Sequence, residues 1–216
     1  MSEQSRLPGL PEPLPEGERL LWQGAPDWRA LALRTFHGRL VAGYFAVLLA
    51  WVVVSSLYDG ASVGRIAVAL GWFGALALTT LGLIMLFAWL TARTTTYTIT
   101  SRRVVLDYGI ALTLTLNLPF KRVSAAGMKQ FRDGTADLPL TMAEGDKLSY
   151  LMLWPHARPW RIGRPEPMLR AVPDGATVAA ILVPALAAAH AQPAQAETGA
   201  KEAVKVRVPV ATAAAA

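Results

Sequence analysis

Two stretches decide the fold: Leu40–Tyr58, LVAGYFAVLLAWVVVSSLY, and Ile66–Thr91, IAVALGWFGALALTTLGLIMLFAWLT. Neither contains Lys, Arg, Asp or Glu, and only Asp59–Arg65 separates them. As α-helices they measure roughly 28 Å and roughly 39 Å. The hydrocarbon core of a bilayer is about 30 Å thick, so the first matches it and the second tilts or extends into the headgroups. A helix packed on a soluble core keeps a polar face, and these keep none. The expectation is a transmembrane hairpin over residues 40–91, with helices 40–58 and 66–91, rather than a helix pair buried in a soluble protein.

The flanks orient it. Arg29, Arg34 and Arg39 precede the first helix, and Arg93, Arg102 and Arg103 follow the second; the connection holds only Asp59 and Arg65. The positive-inside rule then places both ends of the chain in the cytoplasm. Tyr58 and Trp89 lie near helix ends, where amphipathic rings favour the interface. Gly71, Gly74 and Gly82 are candidates for close helix approach or self-association.

The 216 residues carry a formal net charge of +6, with most basic residues after residue 92, and contain no cysteine. Disulfides, thiol catalysis and cysteine metal sites are thereby excluded. The positive excess beside a membrane helix points to anionic headgroups; no compact basic cluster with a reading module points to nucleic acid. Residues 1–18 are proline-rich and read as a disordered arm, without the apolar core of a cleaved signal peptide. The first long helix is therefore the expected targeting signal. Residues 19–39 read as a juxtamembrane segment. Trp22 and Trp28 lie either on the membrane surface or against the later domain, and Pro26 begins a short helix.

Beyond Ala92 the apolar period falls to two. Thr94–Thr100, Val104–Tyr108, Leu112–Leu118, Val123–Phe131, Leu138–Met142 and Lys147–Trp154 read as six strands, with Asp133-Gly134 as a hairpin turn. Pro139 predicts an edge or bulge. Strands at this spacing, uninterrupted by helices, imply a small antiparallel barrel or strongly bent sheet. Pro155–Pro173 reads as a proline- and arginine-rich connection. Val178, Ile181, Leu182, Ala185 and Leu186 mark an amphipathic capping helix. Residues 191–216 read as a disordered Ala-rich tail.

No phosphate loop, metal-spaced histidine pair or nucleophile motif is present, so no catalytic residue, metal site or cofactor is expected. The acidic pairs Glu144/Asp146 and Asp133/Asp137 flank turns and read as solvated turn residues. His37, just before the first long helix, is the one candidate pigment ligand, against the plainer reading of an interfacial polar residue. His190 ends the capping helix, where a cation is favoured. Leu153–Arg164, LWPHARPWRIGR, is the most distinctive surface candidate. Trp154, His156, Arg158, Trp160, Arg161 and Arg164 have hot-spot composition in a proline-stiffened segment. The plainer alternative is a loop anchored by its tryptophans with solvated arginines. Arg102, Arg103, Lys121 and Arg122 form a second basic group, expected near the membrane-proximal end of the sheet and therefore at lipid headgroups.

The order EGERLLWQGAPDWRAL, apolar hairpin, then TTTYTITSRRVVLDYGIALTLTLNLPFKRV resembles the membrane-anchored bacterial pleckstrin-homology-like proteins. YTITSRRVV, LTLNLPF, DGTADLPL and YLMLWPHARPWRIGRPEPMLR are similar to the pattern of photosynthetic-complex assembly proteins of purple bacteria, over about residues 10–190. The resemblance implies an α+β membrane protein: a two-helix hairpin, then a cytoplasmic PH-like domain over 94–190 with a C-terminal capping helix. It implies a non-catalytic assembly factor in the bacterial inner (intracytoplasmic) membrane, with reaction-centre and light-harvesting subunits as partners. The alternative is a membrane-anchored PH-like module binding anionic lipid or an envelope protein.

Overall fold

A computed structural model describes residues 14–15, 17–110, 112–143 and 149–205. The expected arm lies mostly outside the described residues, as do Glu144, Asp146 and 206–216.

The two long apolar stretches form helices α2 (Gly38–Tyr58) and α3 (Val63–Arg93), packed side by side. Both are long and apolar enough to cross a membrane, and only 11% of each apolar window is buried within the protein. Two of the hydroxyls inside α3, those of Thr80 and Thr91, bond within the helix. Thr80 Oγ1 donates to the Leu76 carbonyl and Thr91 Oγ1 to the Phe87 carbonyl, both at 2.8 Å. Gly71, Gly74 and Gly82 face open space, so they are not what brings α2 and α3 together.

The segment before α2 departs from its juxtamembrane reading. Strand β1 (Leu20–Gly24) pairs antiparallel with β2 (Thr96–Thr100), from Gly24 opposite Tyr97 to Leu20 opposite Thr100. The helical hairpin is thus inserted between two neighbouring strands of one sheet. Trp22 packs on the domain core, which decides between its two sequence readings. After Pro26, Asp27 caps helix α1 (Trp28–Ala30), its carboxylate accepting from Ala30 N–H at 2.7 Å. The chain continues as a π-helical turn, Leu31–Thr35, to His37, whose left-handed backbone redirects it into α2. Ala30, Leu31 and Ala32 pack on Ala88 and Ala92 of α3 and on Ala171. Small side chains permit that close approach, and Gly38 is required beside it: a Cβ there would lie 2.8 Å from the Ala32 carbonyl oxygen.

The first sheet runs β1-β2-β3-β4, with β3 at Arg103–Tyr108 and β4 at Leu114–Pro119. A 3-10 turn, Phe120–Arg122, leads to a second sheet. There β5 (Val123–Ala126) and β6 (Lys129–Gln130) lie along one edge of β7 (Ala136–Met142), and β8 (Met168–Val172) pairs with the other. The predicted strand Val123–Phe131 is therefore broken in two. Asp133-Gly134 turns the chain as expected, with Gly134 at φ +81°. Pro139 sits in a central strand, not an edge. It lies where the edge of β7 passes from β6 to β5, and Gly127 N–H donates to its carbonyl at 2.9 Å.

The expected barrel does not close; two sheets enclose the core instead. Within the expected strand Lys147–Trp154, the described residues 149–154 do not form a strand. Tyr150–Leu153 form a helical turn, α4, and residues 144–148 lie outside the described set. The last strand is β8, inside the stretch read as a connection. Helix α5 (Gly175–Lys205) covers the open corner, running into the tail and through Pro184. Val178, Ala179, Leu182 and Leu186 enter a core built from Tyr97, Ile99, Leu106, Phe120, Leu138 and Leu169, among others. Leu182 is buried at the centre of that contact. Leu182→Ala is expected to cost about 2–5 kcal/mol, read as a lower thermal midpoint of the purified full chain.

Candidate partner-binding surface

The candidate strip 154–164 is divided by the fold into residues with different tasks. Trp154 turns toward the helical hairpin. Its ring lies edge-on to Phe36 at 5.9 Å and 6.1 Å from Phe87 of α3. It thereby fixes the start of the loop to the base of α3, while half of its surface stays exposed.

His156 is fully buried, which removes it from any binding surface. Its Nδ1 lies 2.9 Å from the Tyr97 hydroxyl and its Nε2 3.4 Å from Thr95 Oγ1. Tyr97 Oη also accepts from Arg170 N–H at 3.2 Å. The consistent assignment has Tyr97 O–H donating to Nδ1 and Nε2–H pointing at Thr95. The Tyr97 and Tyr108 rings stand edge-on to the imidazole at 5.6 and 5.0 Å. Tyr108 O–H donates to the Met152 carbonyl at 2.8 Å, and Arg170 Nη2 donates to the Ala157 carbonyl at 3.1 Å. Burial, reinforced by the Arg170 charge, pushes His156 down to about 3. Burial likewise raises the Tyr97 phenol far above its ordinary value. The imidazole is thus a neutral strut that carries the loop across the core.

Beyond it the chain makes a narrow stem. Met168 N–H donates to the His156 carbonyl and Arg158 N–H to the Glu166 carbonyl, both at 2.8 Å, and Ala157 bridges Pro167. Arg158 Nη1 pairs with the buried Glu166 carboxylate at 2.6 Å, and Arg161 reaches the same carboxylate at 3.9 Å. Arg158 is therefore a brace of the stem. The tip presents Trp160, 93% exposed in the left-handed region at φ +64°, together with Ile162, 72% exposed, and the exposed Arg161 and Arg164. Ile162 and Glu166 were missed from sequence. One is an apolar residue among charges, and the other acts only through pairing that the spacing does not reveal.

The second basic group is brought together, but elsewhere than expected. Arg102 and Arg103 sit at the β2–β3 turn, and Phe120 N–H donates to the Arg102 carbonyl at 2.9 Å, placing Lys121 and Arg122 alongside. β2 leaves α3 at Thr96, so this turn lies at the opposite end of the sheet, roughly 16 Å along the strand. Arg103 is moreover paired with the buried Glu18 at 2.8 Å. Asp133 and Asp137 are not merely solvated turn residues. Asp133 bonds Thr135 and Arg34, and Asp137 accepts from Ala171 N–H at 2.9 Å. His190 Nε2 meets the Phe120 carbonyl at 3.1 Å. No cluster of three or more metal-ligating side chains occurs among the described residues.

A four-strand meander, a bent second sheet and a C-terminal helix over the open corner define a PH-like domain. The bacterial PH domain family matches residues 33–185, and the chain belongs to that family. It is 38% identical over 176 residues to an uncharacterized 23.7 kDa protein in the puhA 5′ region of Rhodobacter capsulatus. That match covers 81% of this chain and 82% of the relative. No solved structure matches.

His156 gives the domain a definite acid sensitivity. Its folded value lies below the unfolded value of 6.5, so the stability it contributes is complete above about pH 6.5. That stability is lost progressively as the pH falls toward 3. The thermal midpoint of the wild type is expected to fall between pH 6.5 and 4.5. His156→Gln, which keeps an acceptor for Tyr97 without titrating there, is expected to flatten that decline.

Proposed function

We propose that this chain is a PuhB-type assembly factor: a non-catalytic, multi-pass protein of the bacterial inner (intracytoplasmic) membrane. In this reading it holds reaction-centre and light-harvesting subunits while their complex forms. The observation that carries it is the braced loop 157–167, which exposes Trp160 and Ile162 on a stem fixed to the base of an apolar helical hairpin. Exposed tryptophan on a preorganised loop is a common centre of protein recognition, because little entropy is lost when it docks.

The hairpin supports the membrane half of the reading. Trp51, Trp72, Leu78 and Val47 are all exposed on α2 and α3, and such a surface is stable only when lipid or other apolar helices cover it. Both chain ends then lie on the cytoplasmic side, with the Arg-rich segment before α2. The position of the R. capsulatus relative beside puhA supports the link to photosynthesis. Holding an incomplete assembly stabilises it by mass action, and release follows when subunit–subunit contacts outcompete the loop.

The test is a mild-detergent pull-down of the tagged full chain from photosynthetically induced cells. Reaction-centre and antenna subunits are expected to be enriched over abundant membrane proteins. The Trp160→Ala/Ile162→Ala variant should recover them about tenfold less well at an unchanged thermal midpoint. Absence of photosynthetic subunits would instead favour a module whose partner is anionic lipid or an envelope protein.

A further inference from the structure

A second site lies where the segment before α2 meets the β6–β7 turn. A cleft of about 610 Å³ opens between them, lined by Arg29, Arg34, Arg39 and Arg132 with only Asp27 and Asp133 in opposition. Both carboxylates are already engaged. Asp27 caps α1 at Ala30 N–H. Asp133 accepts from the Thr135 hydroxyl at 2.7 Å and from the Thr135 amide at 3.1 Å, and pairs with Arg34 at 3.3 Å. The Thr135 hydroxyl bond, with Arg34 adding to it, holds the Asp133 carboxyl below its ordinary value, so it stays charged. Arg34 is fixed in turn: its guanidinium also bonds the Thr135 hydroxyl and lies over the Phe131 ring at 3.7 Å. One wall of the cleft is therefore rigid.

Arg29, Arg39 and Arg132 remain. All three are exposed, and none pairs with a carboxylate among the described residues. Arg29 only flanks the Trp28 ring, at 5.3 Å. Capping does not remove the Asp27 charge, but four guanidinium groups against two carboxylates leave the cleft net positive, and an anion joining Arg29, Arg39 and Arg132 would offset that excess. The guanidinium fork matches the oxygens of a phosphate group.

The source of that phosphate follows from the chain itself. Arg39 immediately precedes Leu40, where the uncharged run of α2 begins. If α2 crosses the bilayer, the cleft stands at headgroup depth. We propose that this cleft binds the phosphodiester headgroup of an anionic phospholipid of the cytoplasmic leaflet. The inference rests on the spanning reading of α2 and α3 and on the cytoplasmic orientation of the chain ends, and not on the assembly role. Headgroup recognition thereby belongs to the segment before the hairpin and the β6–β7 turn, at the opposite end of the sheet from Arg102 and Lys121.

The test uses the full chain purified in detergent at low salt. Its thermal midpoint is measured with dihexanoyl phosphatidylglycerol, dihexanoyl phosphatidylcholine or inorganic phosphate. The anionic phosphatidylglycerol is expected to raise the midpoint by about 3 °C or more at saturation; the other two are not. Arg39→Gln/Arg132→Gln should weaken the apparent affinity about tenfold, and Arg102→Gln/Lys121→Gln should leave it unchanged. Arg29→Gln, at an exposed position, reports in the same direction if the double variant does not purify. Equal shifts with both lipids, or a shift untouched by the cleft variants, would overturn the site. A matching shift from inorganic phosphate would overturn the lipid assignment. Alkaline carbonate extraction of cell membranes separates the underlying reading. Release of the chain contradicts spanning, whereas retention without a lipid response contradicts the headgroup site alone.

Discussion

The structure depends on one ladder of backbone hydrogen bonds, that between β1 and β2. The strands are neighbours in the sheet, yet the whole helical hairpin lies between them in sequence, so the chain must leave the domain and return within one strand spacing. Both connections are fixed, the first by its own helical turns and the second by its shortness. Asp27 N–H donates to the Ala171 carbonyl at 2.8 Å, and only Thr94 and Thr95 separate α3 from β2. Three further contacts surround this junction. The alanine seam packs Ala30–Ala32 on Ala88, Ala92 and Ala171, Trp154 rests on Phe36 and Phe87, and Arg34 grips the β6–β7 turn. A hairpin tethered at one end by a flexible linker would leave the domain free to swing. A hairpin inserted between paired strands carries the domain with it.

That rigidity gives the polar core its use. Burying His156, Tyr97 and much of Arg170 costs desolvation, and an apolar core would avoid it. Here His156 and Tyr97 bond each other, and the Arg170 guanidinium bonds the backbone of the chain that crosses the core through Nη2, while its buried Nε has no partner among the described residues. The loop therefore leaves the domain at a set angle. The pair Arg158–Glu166 continues the brace to the tip. Trp160 is thus tied through hydrogen bonds and aromatic contacts to the end of α3. A partner touching the tip and a partner touching the hairpin face one connected body.

Legibility in the sequence followed physical locality. The helices α2 and α3 were readable because the absence of charge over a bilayer's thickness needs no tertiary knowledge. β2, β3 and β4 were readable from alternation, and α5 from its stripe. β1 was not, because LLWQG is too short to show a period and its partner lies beyond the hairpin. β8 was not, because Met168, Leu169, Ala171 and Val172 are buried on both faces and erase the alternation. In the strip, aromatic and arginine composition carried no information on the direction of each side chain. Trp154 turned to the helices, His156 to the core and Trp160 to solvent. The arginines before α2 stand out in the sequence. Their convergence with Arg132 needed the fold, since it depends on where the β6–β7 turn comes to rest.

Hydrogen–deuterium exchange of the full chain in lipid nanodiscs tests the insertion of the hairpin between β1 and β2 most directly. The account predicts that the amides of residues 20–24 bonded to β2 are protected to the same degree as those of 97–106, opening only with the domain as a unit. Exchange of 20–24 at the rate of a free peptide, with β2 and β3 still protected, would contradict it.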